Sequence, residues 1–266
     1  MAAANAQTPA SAFFGGLGGS YDTVNFGNQS VFAVGTDVIF QNGVPVASGT
    51  AGGPANVYMA SQSTLAPNAQ IGYFSHFWHT DWLWGAKLGY SYLGSTSATP
   101  NAILPQVGSF TAGGTTTAFT GNALVGSFQT SINHQLSLLL FVGHSFDRFN
   151  VYLGAGPSLQ QMQTRLNGLV GFADINGMHT QITSQPTNFF NSAWVFGGAF
   201  AVGTTFSIDR FWFLDFSYMF NMTPNQTANF SAPFTNAANT EAGTLTGNST
   251  GKVITQAFTV TVNRAF

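Results

Sequence analysis

Side chains that could carry out nucleophilic catalysis occur in two adjacent pairs. Ser75 precedes His76, and His144 precedes Ser145, so each pair joins a possible nucleophile to a possible base. Successive side chains of a β-strand point to opposite faces, which prevents a hydrogen bond within either pair. A triad would have to form between strands, and no acidic residue obviously orients a histidine. We therefore predict no catalytic residues.

Metal, cofactor and nucleic-acid sites are also not indicated. His76 and His79 point to opposite faces if their strand continues, and the chain has no cysteine. The glycine clusters at 15–19 and 154–156 are not phosphate loops, because no helix follows them. Only six Lys and Arg are present to meet phosphates, too few for a nucleic-acid surface. The sequence predicts no metal, no cofactor and no nucleic acid.

The composition favours a lipid environment. Charged residues make up 5% of the 266 residues, and aromatic residues 15%, whereas about a quarter of a soluble domain is charged. The longest apolar stretch, LSLLLFVG at 136–143, is shorter than the ~18 residues that a membrane helix needs. Strands with one face toward lipid explain both the low charge and the absence of a long apolar stretch, because apolar and polar side chains alternate along such strands. A soluble all-β protein is the alternative.

The last strand shows this alternation clearly. Apolar side chains dominate one face, and small or polar side chains occupy the other. The first face consists of Phe258, Val260, Val262, Arg264 and Phe266. The second consists of Ala257, Thr259, Thr261, Asn263 and Ala265. A membrane barrel turns the first face to lipid and the second to its interior.

Connections of two very different lengths separate the alternating segments. Short charged turns occur at 79–82, 146–149 and 208–211, and long stretches rich in small and polar residues at 27–67, 95–121, 167–190 and 222–250. This asymmetry predicts an all-β, antiparallel, eight-stranded transmembrane barrel with short periplasmic turns and long extracellular loops. The predicted strands are 12–26, 68–78, 82–93, 122–146, 149–166, 192–208, 211–221 and the tail. The Asn42-Gly43 pair predicts a hairpin outside the membrane; if both its arms crossed, the barrel would have ten strands.

Aromatic residues lie near the ends of the predicted strands, where two interfacial girdles are expected. The predicted girdle residues are Trp82, Trp84, Tyr90, Trp194, Trp212 and Tyr218.

Taken together, these features resemble the small outer-membrane barrels of Gram-negative bacteria, namely the transmembrane domain of outer-membrane protein A and the opacity-protein-like surface antigens. The resemblance covers residues 11–266 and is one of pattern. It implies contact with outer-membrane lipid and lipopolysaccharide. It also implies that the barrel-assembly machinery reads the tail through Phe258, Val260, Val262 and Phe266. Arg264 departs from the family pattern, which usually has an apolar residue there.

The resemblance implies a structural or surface protein that acts through its extracellular loops. A narrow, porin-like channel for ions or small solutes is the alternative, and a lipid-modifying enzyme is a third. No residue identifies a protein partner, so binding at the loops and lateral assembly both stay open.

The N-terminus suggests export. Ala4-Asn5-Ala6 fits the small-x-small pattern that signal peptidase reads, so residues 1–10 are interpreted as a signal-peptide remnant and flexible N-terminus. An ordinary flexible terminus is the alternative. The remaining residues, 11–266, form the predicted barrel in the bacterial outer membrane.

Two charges are predicted to meet inside the barrel. Aligning residues 80–92 with 208–220 places Lys87 over Asp215, each in the inward phase of its strand. Strands three and seven of an eight-stranded ring face each other, and an unpaired charge in a confined interior is costly. We predict that Lys87 and Asp215 interact and constrict the lumen. Two separately hydrated charges are the alternative.

Overall fold

The computed structural model describes residues 9–78, 80–175, 178–183, 185–235 and 240–266. Most of the predicted signal remnant and His79 lie outside these residues. No helix among the described residues is long and apolar enough to cross a membrane. The described residues form thirteen strands: β1 (Ser11–Asn25), β2 (Gly27–Gln41), β3 (Val44–Met59), β4 (Gln62–His76), β5 (Trp82–Ala112), β6 (Thr115–Phe146), β7 (Phe149–Ile175), β8 (Met178–Gln181), β9 (Thr187–Ser207), β10 (Trp212–Met222), β11 (Gln226–Thr235), β12 (Glu241–Gly251) and β13 (Ile254–Ala265).

Eight strands close into a barrel. The order around the ring is β1, β4, β5, β6, β7, β9, β10 and β13, and β13 pairs with β1 to complete it. Every pairing is antiparallel. The prediction of a closed, antiparallel, eight-stranded barrel is confirmed, and the ten-strand alternative is wrong. β5 and β10 lie four positions apart in the ring and therefore face each other across the lumen.

The barrel has two distinct ends. The short connections after β4, β6 and β9 lie at one end, which we call proximal, together with the start of β1 and the end of β13. The opposite, distal half is built from β2, β3, β11, β12 and the distal parts of β5, β6 and β7. Because β2 follows β1 after one residue and β13 follows β12 after two, the distal half continues the barrel wall.

The long segments between the predicted membrane strands are themselves largely β-structure. Segment 27–67 forms β2, β3 and the start of β4, and segment 95–121 lies almost entirely in β5 and β6. Small residues are depleted in strands, but here they alternate with Thr and Ser in strands that pair with neighbours on both sides. The Asn42-Gly43 hairpin is confirmed: both residues have positive φ (51° and 79°), as a two-residue type I′ turn requires.

Candidate functional site: a lumen ion pair and a distal cavity

A buried ion pair crosses the lumen in its proximal half. Lys87 Nζ on β5 lies 2.9 Å from Asp215 Oδ2 on β10, and both residues are almost fully buried. Tyr152 of β7 joins them: Lys87 Nζ donates to its hydroxyl at 2.7 Å, and the hydroxyl donates to Asp215 Oδ1 at 2.7 Å. The structure thus brings together the two charges that the sequence placed in the inward phase of opposite strands. Their effect on the lumen stays a prediction.

An amide extends this network to two further strands. Gln70 Nε2 of β4 lies 3.0 Å from Asp215 Oδ2, and 2.8 Å from both Thr261 Oγ1 and Asn263 Oδ1 of β13. Five of the eight strands therefore meet in one set of hydrogen bonds. Buried charges persist in proteins when they are paired and hydrogen-bonded in this way. The sequence analysis missed Tyr152 and Gln70, although their inward phase could have identified them as lumen residues.

Aromatic side chains fill the lumen at the proximal end, beneath the ion pair. Phe14, Phe74, Phe141, Phe213 and Leu83 are all buried there. The rings of Phe14 and Phe213 meet edge to face, with centroids 5.5 Å apart, a favoured aromatic geometry. This layer leaves a cavity of only about 40 Å³ between itself and the ion pair.

A second apolar layer lies within the barrel on the other side of the ion pair. Its core is formed by fully buried side chains, among them Phe26, Met59, Leu104, Phe128 and Ile132. We call this layer the neck. The proximal aromatic layer, the ion-pair network and the neck therefore succeed one another along the lumen. The interior is packed with side chains, as is usual for eight-stranded barrels.

Beyond the neck, the distal half encloses a cavity of about 180 Å³. We call it the distal cavity. Its walls are apolar and include Val31, Phe110, Phe119 and Leu245, and its floor is formed by neck residues such as Phe230. Small inward residues on β2, β3 and β12, including Gly35, Ala51 and Gly247, leave the space open. The small residues that are typical of loops therefore leave the distal end of the barrel hollow.

Two carboxyl groups line the distal cavity, and no Lys, Arg or His does so among the described residues. Asp37 lies on β2 and Glu241 begins β12, the strand beside it. The pKa of Asp37 is raised to about 6, mainly by burial and also by the nearby charge of Glu241, while a backbone hydrogen bond with Val38 opposes the shift. Asp37 Oδ1 is shielded from solvent and accepts no hydrogen bond.

The outer surface of the barrel carries a broad apolar belt. Five of the six predicted girdle residues are at least one-third exposed, and Tyr218 is half-buried, with its hydroxyl 2.7 Å from Gln256 Oε1. On β5, the exposed Trp82 and Tyr92 are ten residues apart. At about 3.4 Å per residue and a tilt of about 40°, this spacing gives a height of about 26 Å. An apolar band of about 25 Å is characteristic of outer-membrane barrels.

The tail is the strand that closes the barrel. Phe258, Val260, Val262 and Phe266 face outward and are exposed. The guanidinium of Arg264 lies 5.8 Å from the ring centroid of Trp212 and 5.5 Å from that of Phe266, so its charge is held against aromatic faces at the proximal rim. The role of the tail in assembly stays a prediction.

A serine and a histidine meet at the proximal rim, but from different sequence pairs. His76 Nε2 lies 2.7 Å from Ser145 Oγ, and His76 Nδ1 lies 3.1 Å from the Ala10 carbonyl oxygen. Sequence reasoning missed this contact because it requires the register between strands. Neither side chain lines the distal cavity or the cavity beneath the ion pair. The described residues contain no group of three or more His, Asp or Glu that could hold a metal.

The closed strand order and the outward aromatic belt define the fold of an eight-stranded transmembrane β-barrel. No family model matches the chain, and no curated protein matches it. Among solved structures, it is similar to the outer membrane protein OprG from Pseudomonas aeruginosa, with 10% identity over 97% of this chain and 98% of that one and a TM-score of 0.37. It is also similar to Neisserial surface protein A, with 12% identity over 92% of this chain and 97% of that one and a TM-score of 0.35. A third similar structure is the attachment invasion locus protein Ail of Yersinia pestis, with 9% identity over 86% of this chain and 99% of that one and a TM-score of 0.29.

Proposed function

We propose that this chain is a bacterial outer-membrane barrel that acts at the cell surface through its distal half, with a lumen closed to solutes. One observation carries the proposal. The Lys87–Asp215 ion pair and its partners Tyr152 and Gln70 cross the lumen, between two layers of buried apolar side chains. The bore is filled there, and the distal half is the part that projects from the membrane.

The apolar belt on the outer surface supports a location in the outer membrane. Its height of about 26 Å fits the apolar band of an outer-membrane barrel, and the short connections lie at one end, as periplasmic turns do. The partners that follow are outer-membrane lipid and lipopolysaccharide around the belt, and the barrel-assembly machinery during insertion. Export by a cleaved signal peptide, predicted from residues 1–10, belongs to the same proposal.

The narrow-channel alternative has one supporting observation. Thr130, Gln135, Ser158, Asn221 and Thr255 are buried among the barrel strands, and each has a polar atom without a protein partner. Such groups are usually satisfied by ordered water. A hydrated middle section would still be bounded by the neck and by the proximal aromatic layer, so it favours trapped water over a continuous path.

Single-channel recording in planar bilayers tests the closed lumen. We expect no unitary conductance from the purified barrel, at a protein amount whose insertion is verified by a fluorescent label. The heat-unfolded protein gives the background. Regular conductance steps that are absent from this background would support the channel alternative.

A further inference from the structure

We propose that the distal cavity is a binding site for a small apolar molecule that carries a single cationic group, such as an aromatic or aliphatic amine. This site goes beyond the proposed surface role. It depends on that role only for the side of the membrane from which the ligand arrives.

The size and lining of the cavity indicate an apolar ligand. Its volume of about 180 Å³ exceeds the ~150 Å³ of an engineered apolar cavity that binds benzene. Ligand sites are typically concave and mostly apolar, with a few polar groups that fix orientation. Here Phe110, Phe119 and Phe230 supply aromatic surface, and Leu245 and Val31 supply aliphatic surface. A ligand with one ring, or an aliphatic chain of similar volume, fits this space.

The floor of the cavity should prevent a ligand from passing further into the barrel. Phe230, Leu166 and Phe189 line the cavity and also belong to the neck, whose central side chains are fully buried. A molecule that enters from the distal end therefore meets packed side chains and is held.

The charge of the lining indicates a cation. Asp37 and Glu241 are its only charged residues among those described, and both are acidic. Asp37 is half-buried in the cavity lining, and its Oδ1 accepts no hydrogen bond, so the carboxylate has capacity to accept from a ligand ammonium. Hydrogen bonds between ionised partners are roughly twice as strong as neutral ones. An ammonium would also reduce the repulsion between the two carboxylates, whereas an anionic ligand would increase it.

The site should weaken in acid. Glu241, from the adjacent β12, is the titratable group whose charge acts on Asp37, and β3 on the other side of β2 carries no charged residue. Because burial and Glu241 hold the pKa of Asp37 at about 6, this carboxyl is mostly ionised at pH 7.5 and mostly protonated at pH 5. Ammonium binding is therefore expected to fall over that range.

Calorimetry with probes of matched shape tests the proposal on the full chain in lipid nanodiscs at pH 7.5. 2-Phenylethylammonium and 3-phenylpropanoate have similar size and opposite charge. We expect the ammonium to bind about tenfold more tightly or better, the ratio that a charge-assisted hydrogen bond supports. Asp37→Asn should abolish this preference, while Asp174→Asn, an exposed carboxylate paired with His179, should preserve it.

Filling the cavity provides a second test that does not depend on charge. Ala51 lines the cavity, whereas Asn56 of the same strand is exposed and is not among the lining residues. Ala51→Phe should abolish ammonium binding, and Asn56→Phe, with the same new side chain outside the cavity, should retain it. Circular dichroism checks that each variant is folded. Absence of ammonium binding, equal or tighter binding of the carboxylate, or unchanged binding in folded Ala51→Phe would overturn the proposal. These results do not depend on whether the barrel conducts.

Discussion

Among single residues, Lys87 and Asp215 form a buried contact whose loss should be costly. Removing one partner of a buried ion pair leaves the other charge uncompensated, at a cost of about 3–5 kcal/mol. Lys87→Ala and Asp215→Ala should each lower the free energy of unfolding from detergent by this order. The double variant should lose less than the sum, with a coupling of about 1 kcal/mol or more.

The exposed Lys252 offers the control for this cycle, because Lys252→Ala removes the same charge from the surface of the protein. Strictly additive effects of the two lumen substitutions would show that Lys87 and Asp215 are separately hydrated.

Asp37 should make the folding stability of the protein depend on pH, with the opposite sign to that of most carboxylates. Its pKa is about 6 in the folded barrel, against an ordinary value of 3.8, so the folded state binds the proton more tightly and stability falls as pH rises from 3.8 to 6. Asp37→Asn should therefore stabilise the protein most at pH 8 and much less at pH 4. Urea unfolding at the two pH values measures this difference.

Glu241→Gln removes the neighbouring negative charge and should narrow the gap between wild type and Asp37→Asn at pH 8. An Asp37→Asn variant that is less stable than wild type at pH 8 would contradict the burial of this carboxyl.

Within the strands, the alternation of inward and outward side chains can be tested at two neighbouring residues of β1. Phe14 is buried in the proximal aromatic layer, whereas Phe13 is 66% exposed on the outer belt. Phe14→Ala should cost about 3–5 kcal/mol, because it opens a cavity in packed surroundings. Phe13→Ala should cost much less, since lipid fills the space. Unfolding titrations of the two variants in one lipid give the comparison, and similar losses would contradict the assigned faces.

The strands of the membrane region could be predicted because their alternation has a period of two and is strong. Leu214, Phe216 and Tyr218, for example, share one face and are separated by the polar residues Asp215 and Ser217. The Asn42-Gly43 pair predicted the hairpin of β2 and β3, but the full length of these strands, and β12, could not be predicted from alternation, because Gly, Ala, Thr and Asn are also the residues of loops. Those strands become strands by pairing with one another, and such pairing cannot be read from one local segment.

The residues of the candidate site could also be predicted only in part from the local sequence. Lys87 and Asp215 could be matched because similar turns start both strands, which fixes their relative heights. Tyr152 and Gln70, and the contact of His76 with Ser145, depend on the stagger between neighbouring strands. The distal cavity depends on many small side chains that face one another only once the barrel has closed.

For the whole molecule, the proposed surface role requires that the distal half lies outside the cell and that the short turns lie in the periplasm. The chain has no cysteine, so a single introduced thiol can report its own side of the membrane. Val44 follows the distal Asn42-Gly43 turn, and Arg210 lies in the short connection between β9 and β10. Both residues are exposed.

Labelling of intact Gram-negative cells with a membrane-impermeant maleimide is the most direct test of this topology. We expect Val44→Cys to react in intact cells, whereas Arg210→Cys should react only after the outer membrane is broken. Reaction of Arg210→Cys in intact cells, with Val44→Cys protected, would contradict this topology.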